Sequence, residues 1–145
     1  MGSEMCIRDR NHFQHSLRIA EQLHNDNPNS AQAARDLSVS LEKLSTWYAG
    51  QETQETNDRA LELQQQALTL AEELLHNSGG ASFYARTAAV SCWLCATRAN
   101  SCGNDKLANN YTGKCFKILQ QMHETQMPLG DLQSLYEHLN NSLNG

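Results

Sequence analysis

Apolar residues fall at spacings of three and four along nearly the whole chain, and the pattern repeats. The segments LRIAEQLH from Leu17, LTLAEELL from Leu68 and FKILQQMH from Phe116 lie 51 and 48 residues apart. Their apolar positions stay in register. Leu17, Leu68 and Phe116 correspond, as do Ile19, Leu70 and Ile118; Ala20, Ala71 and Leu119; and Leu23, Leu74 and Met122. Such spacing lays an apolar stripe along a helix, and no segment shows the alternation of a strand. Each block ends at a breaker: Pro28, then Gly79 and Gly80, then Pro128. A fixed period of this length predicts helical hairpins, each unable to bury its apolar face alone and each stacked on its neighbours.

Six helices are predicted. The first runs from about Asn11 to Asn25, with Phe13, Leu17, Ile19, Ala20 and Leu23 assigned to one side. Ser30 is the expected N-cap of the second, about Ser30 to Ala49, whose buried stripe is Ala34, Leu37, Leu41, Leu44 and Tyr48. The third covers about Thr56 to His76, and Gly79 or Gly80 suits the left-handed position that closes it. The fourth, about Ala81 to Ser101, is the least polar. The fifth covers about Leu107 to Gln126 and the sixth about Leu129 to Leu143, the last with a single narrow stripe of Leu132, Leu135, Tyr136 and Leu139.

The stretch NPNSAQAARDLSVSLEKL followed by ALELQQQALTLAEELL resembles long-helix tetratricopeptide repeats, closely over Asn27–Leu75 and more faintly over Gly79–Gln126. The family's small residue after the Leu pair is Ser45 here and Ala96 in the next repeat. Its Gly-Asp at that point is replaced by Ser45 and Thr46, and its second-helix aromatic by Gln64, which implies looser packing there. The resemblance implies an all-α fold of antiparallel helical hairpins stacked as a short right-handed solenoid. It also implies a bacterial protein whose first helices line a concave groove that holds a peptide or partner helix. Arrays of this kind often sit beside signalling NTPase or protease domains, so the chain is expected to be a fragment of a larger regulator.

Bulk properties narrow the partner. A chain of 145 residues is one domain's worth, and a net charge of −5 with a pI near 5.6 disfavours nucleic acid and anionic membranes. The longest nearly apolar run, Ala88 to Ala96, is far short of the roughly 20 residues that span a bilayer. The N-terminal MGSEMCIRDR lacks the apolar segment of a signal peptide. Its letters Met5 to Arg10 resemble an in-frame translation of a transposase sequencing adapter, as expected of a metagenomic fragment. Residues 1–10 are therefore read as a non-native or disordered tail, and residues 11–145 as one helical-repeat domain.

Candidate chemistry is sparse. Cys92 and Cys95 have CxxC spacing, but Cys102 and Cys115 do not complete a metal-ligand pattern. A shift of one repeat places Cys92 on Leu41 and Cys95 on Leu44, so both are read as core. Reduced thiols point to a cytoplasmic location. Six histidines are scattered; His24 and His123 share a repeat phase near a helix C-terminus, where a donor meets exposed carbonyls. No nucleophile, base and oxyanion donor come together, and neither an enzyme nor a cofactor is expected.

Carrying the repeat register across places Val39, Glu42, Thr46 and Ala49 on the groove side of the second helix, with Val90, Trp93, Thr97 and Asn100 as their counterparts. Trp93 is the strongest of these, since tryptophan anchors interfaces, although the longer helices could instead bury it. Trp47, three residues after Leu44, is read as core. The expected function is protein–protein interaction. A self-associating array whose terminal helices stack on another copy, giving a homodimer, is the alternative.

Overall fold

A computed structural model describes the backbone of residues 3–144. The described residues form an all-α protein: α1 (Ser3–Asp26), α2 (Ala31–Ala49), α3 (Gln54–Asn77), α4 (Ser82–Ser101), α5 (Asp105–Glu124) and α6 (Gln133–Asn144), with a 3-10 turn at Gly130–Leu132 before α6. The chain divides into two compact units, residues 1–70 and 71–145, and the division falls within α3.

The predicted punctuation is present. Ser30 Oγ accepts from the Ala33 amide at 3.1 Å, which satisfies one of the free amides at the start of α2. Gly79 and Gly80 hold φ of 70° and 89°, and the Gly80 amide returns to Leu75 O at 3.0 Å, consuming a carbonyl of the last turn of α3. The principal correction lies at the start. The first helix begins at Ser3 rather than near Asn11, so residues 3–10 are helical rather than a disordered tail. No proline or glycine stands between Ser3 and Asp26 to stop the turn.

In the first unit α1 packs along α2. Leu17 and Ala20 are buried, whereas Ile19 and Leu23 are 50% and 47% exposed, so the single apolar side expected of α1 is divided. At roughly 100° per residue, Ile19 sits about 200° from Leu17 and cannot share its face. The stripe of α2 behaves as predicted: Ala34, Leu37, Leu41 and Leu44 are buried, with Tyr48 half-buried at its end. Two serines join α2 to α3. Ser45 Oγ donates to Ala60 O at 2.6 Å and Ser38 Oγ to Ala67 O at 3.4 Å. Small side chains at these positions let their hydroxyls reach the neighbouring backbone.

In the second unit α4 packs along α5 through small residues. Ala85, Ala88, Ala89, Cys92, Cys95, Ala96 and Ala99 are all buried, against Cys115, Phe116, Leu119 and Met122 of α5. Tyr136 of α6 stacks on Phe116, with ring centres 5.9 Å apart, and on His123 at 4.9 Å. Arg86 donates to Leu129 O at 3.0 Å and pairs with Asp131, tying α4 to the turn before α6. Lys114 Nζ meets Glu72 Oε2 at 3.2 Å.

Candidate functional site

The α2 residues assigned to a binding face sit as follows: Val39 and Thr46 are exposed, Glu42 and Ala49 half-buried. Glu42 and Thr46 share the wall of one cavity, of about 360 Å³, completed by Phe13 of α1 and by Lys43 and Trp47 of α2. Gln64 secures the carboxylate. Its side chain is wholly buried, and its Nε2 donates to Glu42 Oε1 at 3.4 Å. The position expected to loosen the packing instead supplies an amide that fixes an acidic group.

A second cavity of about 440 Å³ opens at the same end of α2, lined by Tyr48, Glu55, Thr56, Asp58, Arg59 and Glu62. The Trp47 and Tyr48 rings meet edge to face, 5.1 Å between centres, and each lines one of the two cavities. Gln14 Nε2 lies 3.4 Å from Tyr48 Oη. Together the two walls carry four carboxylates, Glu42, Glu55, Asp58 and Glu62, against Lys43 and Arg59. Arg59 is itself paired with Glu62 at 3.2 Å. Phe13 and Trp47 were not marked by the repeat register. Trp47 lies at the edge of the apolar stripe beside Lys43, the position where a large ring is neither fully inside nor outside.

The corresponding residues of α4 belong to the second unit. Val90 and Trp93 are half-buried, and Thr97 and Asn100 are exposed. Thr97 Oγ1 donates to Trp93 O at 3.0 Å, a bond back to the carbonyl one turn earlier. An apolar cavity of about 90 Å³ lies elsewhere in this unit, lined by Leu75, Gly80, Ala85, Ile118, Gln121, Met122 and Met127.

The thiols are interior. Cys92, Cys95 and Cys115 have no exposed surface, and Cys102 is half-buried. Burial pushes the Cys92 thiol up to about 11, with the Glu72 carboxylate adding to the effect. Burial likewise raises Cys95 to about 12 and Cys115 to about 12, each with a further contribution from Cys92. Protonated, enclosed thiols are poor nucleophiles and poor metal ligands. Among the described residues no group of three His, Cys, Asp or Glu side chains could hold a metal ion.

The two helix-end histidines do not cap carbonyls. The carbonyls of Leu23 and His24 receive the Asn27 amide at 3.0 and 3.2 Å, and Leu23 O also takes the Asn27 side chain at 3.0 Å. His123 stacks on Tyr136 instead. No helix of the described residues is long and apolar enough to cross a membrane. No protein family, curated protein or solved structure matches the chain.

Proposed function

We propose that this chain is a protein-interaction module, a tetratricopeptide-like array from a bacterial regulatory protein, which binds a peptide or partner helix on an exposed helix face, that of α2 in the first unit or that of α4 in the second. The observation that carries this reading is the aromatic and acidic surface of α2. There Trp47, Tyr48 and Phe13 are held partly open to solvent beside carboxylates, the composition of a recognition surface rather than of a core. Trp93, half-buried beside exposed Thr97 and Asn100, is the corresponding anchor on α4. The cytoplasm is the compartment that keeps such thiols reduced. Met5 to Arg10 are read as adapter-derived residues that extend α1.

Selection of random displayed peptides against the intact chain tests this function. Binders are expected, and Trp93→Ala should weaken their capture by about 2 kcal/mol, roughly thirty-fold, with cooperative unfolding retained. Failure to recover any saturable binder would sink the proposal. A second reading is self-association, favoured by Ile19 and Leu23. Of their repeat counterparts Leu70, Leu74 and Met122 are buried and Ile118 is half-buried, while these two are about half exposed. An uncovered apolar pair one helical turn apart is a natural contact for another helix.

A further inference from the structure

We propose that the cavity between α1 and α2 takes a cationic side chain, an arginine or lysine, from a basic peptide partner. The inference rests on the interaction reading above and names the chemistry of the partner. Three features of the first unit converge on it. The cavity is walled by two aromatic side chains, Phe13 and Trp47, and by the Glu42 carboxylate. Ring faces and a carboxylate together attract a cation, the first through their quadrupoles and the second through its charge. Gln64, wholly buried, donates to Glu42 Oε1 at 3.4 Å, which restrains the carboxylate before binding.

The surroundings extend the same preference along a peptide. A second cavity, lined by Tyr48, whose ring meets that of Trp47, adds Glu55, Asp58 and Glu62. Across residues 1–70 there are ten carboxylates against six Lys and Arg, while residues 71–145 hold six against five. The charge is thus concentrated in the unit that carries both cavities. A field of that sign raises the encounter rate of a basic segment and repels an acidic one. Lys43, exposed at the same cavity, is the one lining group that opposes a cation. It gives the proposal a sign that is easy to check.

The test uses the intact chain and peptides selected from a random displayed library. Peptides with an invariant arginine or lysine are expected. Glu42→Gln and Trp47→Leu should each weaken them about tenfold, and Lys43→Ala should strengthen them. Tryptophan emission of the intact chain should shift saturably as the peptide is added, and the shift should be lost in Trp47→Leu. Neutral or acidic selected peptides would overturn the inference while leaving the interaction reading intact. So would basic peptides indifferent to Glu42→Gln but lost on Glu55→Gln with Asp58→Asn, which would mean diffuse attraction rather than a seated side chain. An empty selection overturns both.

Discussion

The α1–α2 pair and the α4–α5 pair are packed in different ways. Leu41 and Leu44 of α2 correspond to Cys92 and Cys95 of α4, and all four are almost wholly buried. Around Cys92 and Cys95 the inner face of α4 is alanine, and the pair with α5 is filled by small side chains against Phe116, Leu119 and Met122. The α1–α2 pair is built from leucines, with phenylalanine, tryptophan and tyrosine left at its margin beside carboxylates. Side-chain size at the margins of a helix pair therefore decides whether a site is left open. Small residues close an interface; large ones at its edge leave cavities between them.

The comparison breaks most visibly on truncation. Leu44→Ala removes a large side chain that is 2% exposed and should cost about 3 kcal/mol in denaturant unfolding. The counterpart Cys95→Ala removes one sulfur and should cost about 1 kcal/mol. Equal losses would mean that the two pairs are packed alike after all.

Thiol chemistry sharpens the contrast from the other side. At neutral pH, labelling read residue by residue should modify Cys102 quickly, and Cys92, Cys95 and Cys115 only as fast as the protein unfolds. The pH dependence has a definite sign. Below the ordinary thiol value of 9.0 these groups are protonated in both states and contribute no slope. As pH rises from there towards about 12, the unfolded chain gives up its protons first, so stability falls across that window. Replacing the three by alanine should flatten that part of the curve.

A subtler difference concerns the outer side of α1. If Ile19 and Leu23 form a contact between copies, sedimentation at high micromolar concentration should show association that Ile19→Glu with Leu23→Glu abolishes, without loss of helicity. Identical sedimentation of the two proteins would leave these residues as isolated exposed side chains. The smallest effect expected is at Arg86. Arg86 holds the Asp131 carboxyl below the usual carboxylate range, but Asp131 lies fully exposed in solvent. Arg86→Ala should therefore lower the Tm only slightly, mainly through the lost bond to Leu129 O.

Much of the fold was legible in advance because helix formation is read locally. The Ser30 cap, the Gly79 and Gly80 turn and the stripe of α2 all follow from backbone chemistry within a few residues. The early start of α1 reflects the absence of any helix breaker from Ser3 onward, which the odd composition of these residues does not reveal. The division of its apolar residues follows from their angular phase around the helix, which apolar character alone does not contain. At the site, Glu42 and Thr46 line one cavity together, as their four-residue spacing on a helix allows, whereas spacing alone assigns the half-buried Trp47 to the core.

Sequence by itself determined the number of helices, their approximate limits and the burial of Cys92 and Cys95, since periodicity and breakers act along the chain. Only the tertiary structure decided that Ile19 and Leu23 face solvent while Leu70, Leu74 and Met122 are buried. It alone brought Phe13 to Trp47, set the Gln64 amide under Glu42 and gathered Cys115 with Cys92 and Cys95. Those relations join residues far apart in the chain, and what surrounds a side chain depends on which helix packs beside it, a choice that the pattern of its own helix does not encode.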